Sequence, residues 1–496
     1  MKIIIIGGGV AGLSAGIYAR RSGFDCEIYE QHTVVGGECT YWKRQGYHID
    51  NCVHWMTGTN PQTELYQVWK DVGVLTDDQE VLQFPSFLQV DAKEGTLNLW
   101  QDTERLRADL LALSPDDRKP IEEFIRAIGL YKDFALPARK PIEQMHFWEI
   151  LNLLRKMRKT GRAHAVYSIM SIRLFAEKFK HPLIRKAIMA YMPKFYNMSS
   201  FFYVLGTFSS GNGAIPRGGS ATISDKMRDT FLALGGKIFC RKKAERIEAE
   251  KRNAVKVTFT DGTEATGDYY VCACDASVTF HKLLGVKFLD DYFRTHFKHH
   301  YLHPTYSSFN IYFGVDGDTS FLPDTTWTEC DAFYCLGKPF TGFITKNFIS
   351  EPTYSPEGKN LLQVLVQQYE SDYSRWRHLY LNERTAYREE KKRVAESVMA
   401  RLEERYPQLA GKLTIVETVS PYSFHRFCGA YRGAYMSFIL TPYAKRKSHF
   451  GRVRGLKNVF LAGQWLQPPG GLPNAVVTGK FAIQRICRKA GVSFAG

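Results

Sequence analysis

The chain has 496 residues, of which 44% are hydrophobic and 23% charged, and 66 Lys and Arg against 50 Asp and Glu leave a net charge of +16. At about 100–200 residues per domain this length supplies two or three cores, and the composition excludes a disordered or low-complexity chain. Ten cysteines without a C-x-x-C spacing are too sparse for a disulfide framework, and they give no zinc-site pattern. There is no uninterrupted apolar run of 18 or more residues, so no transmembrane helix is expected. The opening MKIIIIGGG puts a strand at the second residue and leaves no room for a leader. The expectation is a cytoplasmic protein, with the basic charge suited to the inner face of an anionic membrane.

Ile3 to Ile6 have the pattern of a strand buried on both faces of a parallel sheet. Gly7-Gly8-Gly9-Val10-Ala11-Gly12 follows, fitting G-x-G-x-x-G at Gly7, Gly9 and Gly12, and Leu13 to Arg21 reads as a helix. A second strand, Cys26 to Tyr29, ends at Glu30 and Gln31. Glycines allow the tight turn and let backbone N–H groups approach a pyrophosphate, the helix N-terminus favours its charge, and the acid accepts from a ribose diol. Strand, turn, helix, strand and acid in register predict a bound dinucleotide.

Gly36 and Gly37 come soon after the acid, and Gly46-Tyr47-His48-Ile49-Asp50 follows. This arrangement resembles the flavoprotein superfamily that holds phytoene desaturases, retinol saturases and amine oxidases. That resemblance implies FAD as cofactor. Glu38 stands where the family usually has arginine, and Asn51 to Trp55 replace its usual G-P-T.

Between Lys132 and Lys194 there are 14 Lys and Arg against 4 Asp and Glu, and residues 145–192 read as helices. Leu151, Leu154 and Met157 recur at helical spacing beside Arg155, Lys156, Arg158 and Lys159. Such a surface suits anionic lipid, and an ordinary core-facing helix with a basic outer side is the alternative. Nucleic acid is not expected, because no recognition motif is present.

Ile215-Pro216-Arg217-Gly218-Gly219-Ser220, a helix to Leu234 and a meander to Ala273 resemble the superfamily's element over the adenine, which implies an adenine contact from the Ile247 backbone. Aromatic clusters at Phe195-Tyr196, Phe201-Phe202-Tyr203 and Tyr306–Phe313 suit an apolar tunnel or plain core. His296, His299, His300 and His303 lack an acidic ligand, so no metal is expected and the histidines read as solvated or lipid-facing. Residues 382–406 alternate acid and base and read as a solvated helix.

Near the end, Tyr431-Arg432-Gly433-Ala434-Tyr435 resembles the R-G-A-x-Y pattern of the phytoene desaturase and retinol saturase branch. Asn458 to Gly463 then forms a strand, a loop carries Gly470 and Gly471, and a helix starts near Leu472 and Asn474. By resemblance, Gly463, Gly471, Leu472 and Asn474 hold the ribityl chain and ring. The helix N-terminus faces a flavin carbonyl.

The expected fold is therefore α/β, a Rossmann-type, glutathione reductase-like FAD-binding domain (1–90, 215–290 and 450–496) with an inserted α+β substrate domain (91–214 and 291–449). The resemblance implies an FAD-dependent oxidoreductase acting on C–C or C=C bonds of a long apolar carotenoid, retinoid or other lipid, by desaturation, saturation or isomerisation. An amine oxidase-like enzyme and a flavin-binding protein without turnover are the alternatives. Cofactor-binding candidates are Gly7, Gly9, Val10, Ala11, Gly12, Glu30, Gln31, Gly36, Gly37, Glu38, Ile247, Gly463, Gly471, Leu472 and Asn474. Catalytic candidates are His54, Tyr431 and Trp465, with Tyr422 and His425 beside them. No second glycine fingerprint appears, which leaves the electron partner open among oxygen, a quinone and a low-potential donor.

Overall fold

The structure is a computed structural model that describes residues 1–134, 136–444 and 448–496. A five-stranded parallel sheet is built from β1 (Lys2–Ile6), β2 (Asp25–Tyr29), β3 (Lys237–Phe239), β4 (Tyr269–Cys272) and β5 (Val459–Leu461), in the order β3-β2-β1-β4-β5. The isoleucine run is central because both faces of β1 are covered. Ile3 and Ile5 pack against the helix α1 (Val10–Arg21), and Ile4 and Ile6 against the meander that contributes Val257 and Phe259. Each such side chain contributes roughly 1.5–3 kcal/mol by leaving water.

A second, seven-stranded sheet runs in the order Leu413–Val419, Tyr306–Asp316, Lys359–Tyr369, Lys338–Asn347, Thr325–Cys335, Ser86–Ala92, Gly95–Trp100. All its pairings are antiparallel except that of Thr325–Cys335 with Ser86–Ala92. The first sheet thus draws on residues 2–29, 237–272 and 459–461, and the second on 86–100 and 306–419. A boundary at residue 90 cuts the strand Ser86–Ala92, and within the segment 291–449 residues 445–447 lie outside the described residues.

The basic segment folds as short helices, among them α2 (Phe147–Lys156) and α3 (Arg158–Tyr167). No residue of α2 is buried, whereas α3 packs inward through Thr160, Ala163 and Tyr167. Two expectations change here. The helix Arg384–Arg405 is solvated on one side only, because Tyr387, Val394, Val398 and Leu402 bury against the second sheet. His296 and His303 are buried, not solvated, with their rings 4.0 Å apart. Among the described residues no helix is long and apolar enough to cross a membrane.

The last helix, α4 (Leu472–Ala490), returns to the first sheet and packs beside α1, where Ser14 Oγ donates to the Val476 carbonyl at 2.7 Å. The N-terminal residues of both helices, Val10 and Ala11 on one and Leu472 and Asn474 on the other, line the same cavity.

Candidate functional site

A cavity of about 770 Å³ runs from the turn after β1 to the helices of the second region. At one end its wall is largely backbone. Gly9 meets the paired glycines edge to edge: a Cβ on Gly37 would lie 3.1 Å from the Gly9 Cα, and Gly36 N donates to the Gly8 carbonyl at 2.9 Å. Gly12 lies behind this wall, where a Cβ would sit 1.9 Å from the Gly7 carbonyl oxygen, so only glycine lets α1 start so close to β1. Glu30 accepts from Gly8 N at 2.7 Å and from His32 N at 2.9 Å, which fixes the carboxylate at the end of β2. Gln31 lies at the exposed rim of the cavity.

The C-terminal loop closes the same end. Gly471 N donates to Gln464 Oε1 at 3.0 Å, Gln464 Nε2 donates to Glu38 Oε2 at 3.0 Å, and Asn474 Nδ2 donates to the Gly470 carbonyl at 2.7 Å. The first-turn N–H groups of α1 and α4 have no intrahelical carbonyl within reach and favour an anion or a carbonyl oxygen. Two glycine-walled turns and two helix N-termini facing one cavity fit a dinucleotide with a diphosphate and a planar ring.

Of the cofactor candidates, Gly7, Gly9, Val10, Ala11, Glu30, Gln31, Gly36, Gly37, Glu38, Gly463, Gly471, Leu472 and Asn474 come together in this wall. Ile247, whose backbone the resemblance places at the adenine, is not among the residues that line it. Its side chain is buried within the strand Ala244–Glu250, and Lys242, Lys243 and Ala244 line the cavity there. Of the catalytic candidates, His54 and Trp465 line the cavity, together with Tyr422 and His425. Tyr431 stands behind the wall, edge-on to Trp465 at 5.9 Å, and its N–H donates to Asp275 at 2.9 Å.

The other end of the cavity is made of side chains. His54 Nδ1 lies 3.0 Å from the Tyr191 hydroxyl. Burial, reinforced by the charge of Lys346, pushes the His54 pKa down to about 3, so the ring is neutral. Tyr306 stands edge-on to Tyr435 at 5.0 Å, and Tyr196 flanks Tyr306. Beyond them the wall runs through Met157, Thr160, Gly161, Tyr203, Met436 and Leu440. Tyr191 and Tyr435 leave no local signal for this wall in the sequence, since 137 residues separate Tyr191 from His54. Of the aromatic clusters, Tyr196, Tyr203 and Tyr306 face the cavity, while Phe201 and Phe202 are core.

The sequence profile of flavin containing amine oxidoreductases matches residues 10–487. The chain is 22% identical over 494 residues to the phytoene desaturase (lycopene-forming) of Pseudescherichia vulneris, with 97% of each chain covered. It is 21% identical over 533 residues to the chloroplastic prolycopene isomerase of Arabidopsis thaliana, covering 99% of this chain and 83% of that one. The crystal structure of an oxidoreductase from Methanosarcina mazei superposes with a TM-score of 0.60 at 15% identity, over 98% of this chain and 100% of the other, and shares the fold. The cofactor is FAD, and the chain belongs to the flavin containing amine oxidoreductase family.

Proposed function

We propose that this protein is an FAD-dependent oxidoreductase acting on C–C or C=C bonds of a long apolar polyene such as a carotenoid. One observation carries the reading. Among the described residues, the lining contributed by 131–204, 306–310, 365 and 435–440 contains no Asp, Glu, Lys or Arg, while the charged lining residues sit at the glycine-walled end. A tunnel of tyrosine, methionine and leucine suits a substrate held by shape and dispersion. An amine substrate would bring an ammonium group into a wall without a carboxylate, which disfavours the amine oxidase alternative. The desaturase and isomerase names of the relatives agree with a polyene.

Bound FAD supplies a two-electron acceptor or donor. The chain's own residues orient the polyene and exclude water. Gly7, Gly9, Val10, Ala11, Gly36 and Gly37 hold the diphosphate region, Glu30 and Gln31 the ribose, and Gly463, Gly471, Leu472 and Asn474 the ring region. Trp465 flanks that region. His54, neutral and bonded to Tyr191, lines the polyene end without placing charge beside the hydrocarbon.

A membrane surface is the proposed source of the substrate. On α2 and the loop after α3, Phe147, Trp148 and Ile169 are 70%, 73% and 71% exposed, and Arg155, Lys156, Arg158, Lys159 and Arg162 form no ion pair among the described residues. Met157, Thr160, Gly161 and His164, on α3 and just before it, line the cavity. The test is flotation with vesicles of neutral lipid alone and with anionic lipid added, followed by anaerobic incubation with acyclic C40 polyenes of differing saturation. Binding to the anionic vesicles and a change in polyene conjugation are expected. A protein that converts amines and leaves every polyene unchanged contradicts the reading.

A further inference from the structure

Among the described residues three carboxylates line the glycine-walled end of the cavity, and they are stabilised unequally. Glu30 takes two backbone N–H donors. Asp275 takes Ser277 N, Ser277 Oγ and Tyr431 N. Glu38 accepts only the neutral amide of Gln464, at 3.0 Å, and no Lys or Arg pairs with it among the described residues. An ionised Glu38 would stand beside Asp275 and beside the diphosphate of a dinucleotide. A protonated Glu38 instead brings an O–H donor to the wall and keeps its link through Gln464 to Gly471, the residue that starts α4.

We propose that Glu38 serves the cofactor site as a neutral carboxylic acid, so that FAD binding is linked to a proton held on this side chain. The inference rests on the glycine-walled end being the FAD site, as read above. Burial, with the Asp275 charge second, pushes the Glu38 carboxyl up to about 8, and the added negative charge of a bound dinucleotide pushes it further. The other titratable groups facing Glu38 are Asp275, Cys52 and Cys428, and His425 acts on Asp275 from the helix Pro421–Cys428. Burial holds the Cys428 thiol well above its ordinary range, a bond to Cys39 together with burial does so for Cys52, and burial lowers His425. Among these facing groups Glu38 is the one that changes charge in the weakly alkaline range. Because binding raises its pKa, affinity is full below the free-protein value and falls as pH rises through it.

The test is the FAD dissociation constant of the full chain, stripped of flavin, measured by equilibrium dialysis from pH 6.5 to 9.5. Calorimetry at pH 8.5 in two buffers of different ionisation heat counts the protons taken up. Wild type is expected to hold a level affinity near pH 7, to weaken by up to about tenfold per pH unit above 8, and to take up a fraction of a proton. Glu38→Gln, which keeps an amide donor and cannot ionise, is expected to show a flat profile and no uptake. A flat wild-type profile, or a slope retained by Glu38→Gln, overturns the proposal. If that variant fails to fold, absence of proton uptake by wild type overturns it alone. No FAD binding at any pH would overturn the site reading and this inference together, whereas tight, pH-independent binding overturns this inference only.

Discussion

The two ends of the cavity are built on different principles. At the glycine-walled end, backbone meets backbone: Gly9 faces Gly37, Gly7 faces Gly12, and two helix N-termini open on the same space. At the tyrosine-lined end, side chains from five separate stretches of sequence converge, with His54 on Tyr191 and Tyr306 on Tyr435. Backbone close approach tolerates almost no change, whereas side-chain walls tolerate reshaping. The first end suits a cofactor that stays the same, and the second a substrate that differs between relatives.

The largest expected effect is at the first end. Gly12→Ala drives a methyl group into the Gly7 carbonyl, at a cost of about 3 kcal/mol, and the purified protein should lose flavin absorbance altogether. His54→Phe should act oppositely, keeping flavin while lowering kcat/KM ten- to a hundredfold, roughly 1–3 kcal/mol for a buried hydroxyl left without this partner. The same residue gives a pH signature. A histidine held neutral down to about pH 3 binds its proton only in the unfolded chain, so stability should fall as pH drops below about 6.5, and His54→Phe should flatten that fall in thermal melts. Gly161→Trp reshapes the far wall, where a Cβ meets nothing within 4 Å; KM for a long polyene should rise about tenfold, with little change for a short one. The smallest effect is outside the cavity, where replacing both Phe147 and Trp148 by serine should weaken vesicle binding several-fold and leave flavin content alone.

Legibility in the sequence follows the same division. The isoleucine run, the glycine spacing and Glu30 lie within 30 residues and record a local strand–turn–helix–strand, so that end is readable without coordinates. Tyr191 and Tyr435 belong to the wall only because the second region folds them against His54 and Tyr306 across long gaps in the chain. The alternating charges of 382–406 concealed a buried stripe, since Val394, Val398 and Leu402 at helical spacing were outnumbered by charged neighbours. The burial of the histidine run is not legible in composition, because it depends on His296 packing at a tilt against His303 and Phe438.

The most direct measurement is an anaerobic absorbance spectrum of the FAD-loaded protein on anionic vesicles, before and after adding acyclic polyenes, with the polyene products analysed in parallel. The flavin spectrum or the polyene conjugation is expected to change with a polyene and with no amine. A flavin spectrum that responds to amines and is untouched by any polyene, oxidised or chemically reduced, would contradict it.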